Sequence, residues 1–404
     1  MDQAQARPLG VLYMLASEVD QYRVIDTDTH VIEPYDLWTS RLSVAKWGDK
    51  VPHVRFDPKY QEDAWYFGTD RVGAAASAAQ AGWHQYPPQH PPTLDVVDEA
   101  TWDPTQRLAR MDQYGIWAQV LYPNVAGFGA GKVLALGDPE LMLACVQAYN
   151  DFLTDFSSID FKRFVPITAL PFWDPALTEQ EVLRCAAAGH KGVIMTGEPT
   201  HWGLPHIADP YWDRLWAVCQ ANGLSVNFHI GSGDMSIFDT AYPPAGMHTN
   251  YAGFGVQFGM ANVKVIANLI TGGVCHRFPD LKFVSVESGC GWIPFALEHL
   301  DWQWMNCGVP QEHPEYDLLP SEYFQRQMFG CFWFEKGIEQ TIAQFGSDWL
   351  LYESDFPHPT SMAPGPASSA VEPREYIAAD LGHLPEVHLR KILHDNAAKL
   401  YHLD

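Results

Sequence analysis

The chain has 404 residues, of which 47% are hydrophobic, 13% aromatic and 18% charged. This composition supports a large apolar core and argues against intrinsic disorder. The formal net charge of -24 disfavours a nucleic acid or an anionic membrane surface as a partner, because binding to phosphate depends on clustered Lys and Arg. A small anionic substrate stays compatible with this charge, since it needs only a local basic patch.

The cysteines and the apolar runs indicate the cellular compartment. The seven cysteines are scattered and form no C-x-x-C pair, so we predict reduced thiols rather than disulfides or a thiolate metal centre. The longest apolar run near the N-terminus, Val11–Ala16, is too short for a signal peptide. No stretch approaches the roughly 18 apolar residues of a membrane span. We therefore expect a cytoplasmic protein.

Short apolar runs rich in β-branched residues alternate with stretches of helical periodicity, which is typical of repeated β/α units. The eight predicted strands are Arg23–Thr29, Ala118–Tyr122, Phe164–Leu170, Gly192–Thr196, Ser225–His229, Lys282–Glu287, Met328–Trp333 and Trp349–Glu353. The predicted helices include Thr105–Tyr114, Glu140–Ser157, Pro175–Ala188, Pro210–Ala221 and Trp292–Trp304. The strict alternation predicts one α/β domain over residues 1–404, folded as a (β/α)8 TIM barrel rather than an open sheet.

Two long segments rich in Pro, Gly, Trp and Tyr leave the C-terminal ends of predicted strands. They span about Glu33–Asp103 and Gly231–Gly255. A TIM barrel builds its active site at that end, so we predict lid-like insertions after strands 1 and 5. The last segment, Glu372–Asp404, is predicted to form closing helices.

Four predicted strand ends carry residues that can bind a metal ion. Asp28 and His30 lie two residues apart on strand 1, so they share one face, which looks inward at the top of a barrel. His229, Glu287 and Asp355 end strands 5, 6 and 8 or follow them directly. Each residue alone has an ordinary structural interpretation as a core or loop residue. Together they predict a metal site, because such a polar cluster without a metal would be costly to desolvate.

The chain resembles the amidohydrolase-related family of TIM-barrel metalloenzymes, in the branch that includes the aromatic-acid and aminocarboxymuconate-semialdehyde decarboxylases. The matching motifs are Asp26-x-Asp28-x-His30, His229, Gly272-Gly273 with Arg277-Phe-Pro-x-Leu-Lys-Phe, Ser354-Asp355-Phe-Pro-His358 and Asn396-Ala-Ala-Lys-Leu-Tyr401. The resemblance implies that Asp28, His30, His229 and Asp355 coordinate the metal. By the same analogy a homodimer is expected.

Two departures from the family pattern affect the expected mechanism. The usual His-x-His opening is Asp28-x-His30 in this chain, and Glu287 stands where the decarboxylases have a proton-handling histidine. A lysine at the end of strand 4 that could bridge two metals is also missing, because Lys191 begins that strand. These departures weaken the transfer of the ordinary hydrolase or decarboxylase mechanism.

The sequence offers more candidate metal ligands than one ion can bind while it keeps a coordination position open for substrate. The seven predicted ligands are Asp28, His30, Glu33, His229, Glu287, Asp355 and His358. Glu33 could instead cap the turn before Pro34, and His358 could orient Asp355. Mixed imidazole and carboxylate ligands suit iron, manganese or zinc. They also occur in di-iron carboxylate enzymes. At these positions the chain resembles the TIM-barrel nonheme di-iron monooxygenases of platensimycin-type diterpenoid biosynthesis.

Three hypotheses follow. The first, implied by the second resemblance, is a monooxygenase with two iron ions, which hydroxylates an apolar acyl substrate linked to coenzyme A and needs an electron-donating reductase. The alternative is a hydrolase or non-oxidative decarboxylase of a small-molecule substrate, with one zinc or manganese ion and Glu287 as the proton-transfer group. Glu287 and His358 are the predicted catalytic residues. The third is a binding protein on a degenerate barrel, which the intact donor set disfavours.

Other residues carry less weight. His190 follows the predicted helix Pro175–Ala188, where a cationic side chain suits the C-terminal end of the helix dipole. The aromatic residues Phe172, Trp173, Trp202 and Trp333 could line an apolar pocket, although core packing is the ordinary use of such side chains. The chain contains no phosphate-binding loop of the G-x-x-x-x-G-K-[ST] type and no G-x-G-x-x-G motif, so no nucleotide site is predicted.

Overall fold

A computed structural model describes residues 14–125, 127–128, 130–233 and 235–403. The strands are β1 (Val24–His30), β2 (His53–Asp57), β3 (Glu62–Phe67), β4 (Asp70–Ala74), β5 (Ile116–Tyr122), β6 (Phe164–Ala169), β7 (Gly192–Ile194), β8 (Ser225–His229), β9 (Phe283–Val286), β10 (Met328–Phe332) and β11 (Leu350–Tyr352). Eight of them form one parallel sheet in the order β1-β5-β6-β7-β8-β9-β10-β11. The N–H of His30 donates to Phe356 O at 2.8 Å, which joins β1 to the chain after β11. The predicted TIM barrel is confirmed.

Helices cover the outside of the barrel, and the last of them contact residues that precede β1 and β8, at the N-terminal end of the barrel strands. The α-helices are α1 (Val44–Trp47), α2 (Pro104–Tyr114), α3 (Pro139–Ser157), α4 (Pro175–Ala187), α5 (Asp213–Ala221), α6 (Met247–Gly259), α7 (Asn262–Thr271), α8 (Val274–Arg277), α9 (Ile293–Asn306), α10 (Val309–Glu312), α11 (Pro320–Gln327), α12 (Ile338–Phe345), α13 (Pro373–Tyr376), α14 (Glu386–Arg390) and α15 (Asn396–Tyr401). Two π-helical turns, Ile377–Leu381 and Lys391–Asp395, join the last three helices. This confirms the predicted helical C-terminal segment over its described part.

Local sequence signals explain where the long helices begin and end. Helices α2, α3 and α4 each start at an Asp-Pro pair, in which the aspartate oxygen accepts the free N–H groups and the proline fits the first turn. Gly115 follows α2 in the left-handed region at φ 73°, a conformation that glycine adopts readily at the end of a helix. The predicted helix Pro210–Ala221 instead begins as the 3-10 turn Pro210–Trp212 before α5.

The predicted barrel strands agree with the structure to within two residues at each end. The strand before Glu287 ends one residue earlier than predicted, at Val286. The backbone of Glu287 lies in the left-handed region at φ 53°, which no β-strand accommodates. The fourth barrel strand ends at Ile194 rather than Thr196, whose hydroxyl donates instead to Ser232 O at 2.6 Å.

Both long insertions contain regular structure that the sequence analysis missed. The first includes an antiparallel sheet in the order β2-β3-β4. Trp65 of this sheet is buried edge-on against Trp38, with ring centroids 5.0 Å apart. The second insertion contains most of helix α6. Short strands in a small sheet alternate polar and apolar residues only weakly, so the periodicity did not separate them from loop.

The cysteines are free thiols in this fold. All seven cysteines are free, and every one except Cys307 is buried. This confirms that the chain has no disulfide framework. Within the described residues, no helix combines the length and the apolar composition needed to cross a membrane.

His190 is a buried neutral residue rather than the cation expected at a helix end. Its ring is 2% exposed, with Nδ1 2.9 Å from the Thr168 hydroxyl and Nε2 2.9 Å from the Thr154 hydroxyl. Burial, together with the nearby Arg184 charge, lowers the pKa of His190 to about 4. The loss of hydration outweighs the favourable helix dipole.

This histidine gives the fold a defined pH dependence. The unfolded chain binds a proton on His190 below its ordinary pKa of about 6.5, whereas the folded chain binds it only near pH 4. His190 therefore adds no penalty above pH 6.5 and destabilises the fold increasingly as the pH falls toward 4. Between pH 7.5 and pH 5 we expect a loss of about 2 kcal/mol in the free energy of unfolding.

Urea unfolding of the wild type and of His190→Gln at both pH values measures this loss, because other groups affect the two proteins equally. A difference between the two proteins that does not change with pH would contradict a neutral buried His190.

Candidate metal centre

Six predicted ligands converge at the C-terminal end of the barrel strands. They form two overlapping groups, whose ligand atoms lie within 4.8 Å of one another: Asp28, His30, His229 and Glu287, and His30, Glu287, Asp355 and His358. The alternation of β1 places Asp28 and His30 on the inner face, where both are fully buried. The seventh predicted ligand, Glu33, belongs to neither group.

The two central histidines present bare nitrogen atoms to the group. His30 Nδ1 lies 3.2 Å from Pro123 O, and His229 Nδ1 lies 2.7 Å from Ile230 O. Each Nδ1–H therefore donates to a backbone carbonyl, and the Nε2 lone pairs are left facing each other at 3.1 Å. Metal-binding histidines are oriented by such hydrogen bonds on the opposite ring nitrogen.

The carboxylate oxygens of two aspartates lie beside the Nε2 atom of His30. His30 Nε2 lies 3.3 Å from Asp28 Oδ1 and 3.5 Å from Asp355 Oδ1. Among the described residues, neither oxygen of Asp28 or Asp355 has a hydrogen-bond partner, although both side chains are buried. Buried acceptors without donors are costly. A divalent cation would satisfy them, so the residues present fit a metal ion with nitrogen and oxygen ligands.

The two aspartates of the cluster differ in their pKa. Burial raises the pKa of Asp28, but the His229 and His30 rings outweigh it and lower this pKa to about 2. Burial and the neighbouring Glu287 and Asp28 carboxylates raise the pKa of Asp355 well above its ordinary value. The carboxylates repel one another, and the two imidazole rings offset only part of their charge. A bound cation would remove this repulsion.

Glu287 is the least enclosed acid of the cluster. Its side chain is 16% exposed and its Oε2 lies 3.3 Å from His229 Nε2. Burial raises the pKa of Glu287 to about 7. Its N–H donates to Glu353 Oε2 at 3.3 Å. Glu287 and Asp355 both hold left-handed backbone conformations, at φ 53° and 56°, which cost roughly 1–3 kcal/mol each and concentrate at functional sites.

His358 and Glu33 are connected through Asn124, a residue that the sequence analysis missed. His358 stacks on His30 with ring centroids 3.5 Å apart, and its Nδ1 lies 3.0 Å from Asp355 Oδ1. Its Nε2 lies 2.6 Å from Asn124 Oδ1. Glu33 Oε1 accepts the N–H groups of Asn124 and Val125 at 2.8 and 3.0 Å. Glu33 thus binds the loop after β5 whose Asn124 contacts His358, whereas the alternative expected from the sequence was a cap on the turn before Pro34.

Two further acids have structural positions around the cluster. Asp26 accepts the N–H of Ser354 at 2.8 Å and the side chain of Gln119 at 3.2 Å, so it fastens β1 to the chain after β11. Glu353 is fully buried, and its Oε2 accepts the N–H of Glu287 at 3.3 Å, so it supports the backbone at the end of β9.

Phe128, which the sequence analysis did not select, covers the histidines. The ring of Phe128 stacks on His229 with centroids 3.9 Å apart and lies 5.3 Å from His30. Of the aromatic residues considered from the sequence, Phe172 and Trp333 are buried in the main hydrophobic core. Phe128 follows β5 in a loop without a motif, so only the three-dimensional structure identifies it.

Two cavities open beside the cluster and share Gln80, Tyr251 and His358 in their walls. The smaller lobe, of about 380 Å³, also contacts Asn124 and Phe128. The larger lobe has about 870 Å³. Since His358 belongs to the metal-binding group, both lobes give a ligand access to the cluster.

The chain matches a described protein family over nearly its whole length. A family model described as amidohydrolase matches residues 25–403. Among curated proteins, gamma-resorcylate decarboxylase from Rhizobium radiobacter is 24% identical over 281 residues, covering 65% of this chain and 77% of that protein.

Solved structures share the architecture. An amidohydrolase from Mycobacterium avium subsp. paratuberculosis K-10 superposes with a TM-score of 0.72 and 22% identity, covering 94% of this chain and 99% of that chain. A 5-carboxyvanillate decarboxylase from Novosphingobium aromaticivorans, solved with bound manganese, has a TM-score of 0.65 and 18% identity, covering 97% of this chain and 100% of that chain. At these identities the likeness shows the fold.

Proposed function

Because this chain belongs to the amidohydrolase family, we propose that it is a metal-dependent enzyme that removes the carboxylate group of a small organic acid without oxidation. The observation that carries the proposal is the buried cluster of bare imidazole and carboxylate ligands beside a protonatable Glu287. The decarboxylase identity of the relatives supports it, and favours this alternative over a monooxygenase.

Four residues would hold the ion: Asp28, His30, His229 and Asp355. The manganese in the related 5-carboxyvanillate decarboxylase, and the ligand types present here, point to manganese or zinc. A bound divalent ion would act as a Lewis acid that polarises an oxygen of the substrate. With one ligand position left for substrate, these four side chains suffice.

Glu287 supplies the proton that the reaction requires. The bond between the substrate carbon and its carboxyl carbon breaks, carbon dioxide leaves, and the electron pair stays on the substrate carbon. That carbon then takes a proton from the Glu287 carboxyl group, so atoms and electrons balance without any oxidant. A pKa of about 7, raised by burial, keeps a proton on Glu287 near neutral pH.

Other side chains of the cluster orient the substrate and exclude water. Burial lowers the pKa of His358 well below its ordinary value, so its ring stays neutral and hydrogen-bonded to Asn124. Phe128 covers His229 and keeps bulk water from the ligands. A dry, rigid site strengthens the electrostatic interactions on which proton transfer depends.

One observation favours a second candidate, oxygen-dependent hydroxylation. The donors form two overlapping groups that share His30 and Glu287, which is more than a single ion takes up. In that case Glu287 would be a ligand rather than a proton donor, and the enzyme would need two iron ions and an electron donor.

Activity under argon separates the two candidates. Protein freed of metal and reconstituted with manganese or zinc is expected to release carbon dioxide from aromatic acids such as 2,6-dihydroxybenzoate without oxygen. Activity restricted to air, to iron-loaded protein and to the presence of a reductant would contradict the decarboxylase and favour the hydroxylase.

A further inference from the structure

The cleft beside the metal cluster is larger than a one-ring acid requires. A cavity of about 150 Å³ already holds benzene, and drug-sized ligands occupy roughly 300–1,000 Å³. The smaller lobe, at about 380 Å³, can hold a one-ring acid by itself. The larger lobe, at about 870 Å³, remains unexplained by such a substrate.

Both insertions build the walls of this larger lobe. The first insertion contributes Trp83 and Tyr86, and helix α6 contributes His248 and Ala252. His248 Nδ1 lies 2.8 Å from Pro87 O, so its N–H joins the two insertions across the cleft. The larger lobe is therefore enclosed by two insertions that are hydrogen-bonded to each other.

Most of the wall surface is apolar, and part of it is aromatic. Tyr86 and Phe334 line the lobe although they are 61% and 59% exposed, so core packing does not account for them. Exposed aromatic side chains around a concave surface are typical of ligand contacts. Lys336 and Asp380 contribute one charge of each sign to the walls. The wall charges therefore do not favour a ligand with a second acidic group.

We propose that the substrate is a carboxylic acid whose apolar body is larger than one aromatic ring, with the acid group at the metal cluster and the body in the larger lobe. This inference rests on the proposed function for the position of the acid group. The shared wall at Gln80, Tyr251 and His358 places the reacting end beside the cluster while the body extends away from it.

Calorimetric titration of manganese-loaded protein with benzoate, 2-naphthoate and anthracene-2-carboxylate tests the size of the bound body. Each added ring buries more apolar surface, so Kd should fall by roughly fivefold to tenfold per ring. In Ala252→Trp and Ala370→Trp, which narrow the lobe from α6 and from the loop after β11, this gain should be lost. Ala221→Trp, an exposed position at the end of α5, is the matched control and should keep it.

The outcomes are distinct for the two proposals. Equal or weaker binding of the larger acids by the wild type, or an unchanged gain in both narrowed variants, would overturn the inference about size. If the narrowed variants lose the gain in affinity, the inference about size is supported, because binding is measured without turnover. If the enzyme decarboxylates no acid at all, the proposed function is overturned and the inference about size stands.

Discussion

Replacement of His229 by alanine is expected to remove the divalent metal from the protein and to abolish activity. His229 Nε2 faces His30 Nε2 at 3.1 Å and Glu287 Oε2 at 3.3 Å, at the centre of the cluster. Loss of a residue that merely orients a ligand typically weakens metal binding by roughly 10–100-fold. Loss of a ligand should exceed that range. Metal content after dialysis, measured by elemental analysis, gives the result.

A matched control is available in His190→Gln, which removes another buried histidine far from the cluster. This variant should retain the metal at neutral pH. His229→Gln guards against a simple packing defect in the alanine variant, because it keeps most of the side-chain volume. Full metal content in both His229 variants would contradict the assignment of the site.

Glu287→Gln is expected to reduce kcat by about 100-fold to 10,000-fold, the range typical of a lost general acid, while the metal stays bound. Glutamine keeps the shape of the side chain but cannot donate the carboxyl proton. Steady-state kinetics and elemental analysis on the same preparation measure the two effects together. The substrate KM should change much less than kcat, since the proton is needed only in the reaction step.

The control for this change is Glu179→Gln, on the outer helix α4, where the carboxylate pairs with Arg214. It should leave kcat and metal content unchanged. If Glu287→Gln loses metal together with activity, Glu287 is a ligand, and the second candidate function gains support.

The barrel could be predicted because its strands are short, apolar and regularly spaced. The sequence placed Asp28, His30 and His229 at strand ends, and the structure brings these residues together. Their alternation along extended chain needs no tertiary information. The sheet of the first insertion and helix α6 could not be predicted, because their patterns are weak and their positions depend on packing against the barrel.

The residues in the loops at the C-terminal end of the barrel strands could not be assigned from the sequence. Glu33 was predicted as a ligand from its position, but it belongs to neither metal-binding group, and its Oε1 accepts the N–H groups of Asn124 and Val125 after β5. Asn124 and Phe128 contact the cluster histidines from a loop without a motif. Such contacts depend on how loops fold over the barrel, which local periodicity does not encode.

The number of donors does not decide between the two functional hypotheses. Seven ligands were predicted, and the structure brings six of them together, with His30 and Glu287 in both groups. A donor count alone does not distinguish a ligand from a proton donor. The comparisons favour the decarboxylase alternative, and the raised pKa of Glu287 agrees with a proton-donating role.

The fate of the carboxyl carbon tests the central claim most directly. An aromatic acid labelled with ¹³C at the carboxyl group is supplied under argon in D₂O to manganese-loaded protein, and the products are analysed by mass spectrometry and NMR. Decarboxylation predicts one labelled carbon dioxide per product, with one deuterium on the vacated carbon and no oxygen consumed. A product that retains the label and gains an oxygen atom, formed only in air, would contradict the account.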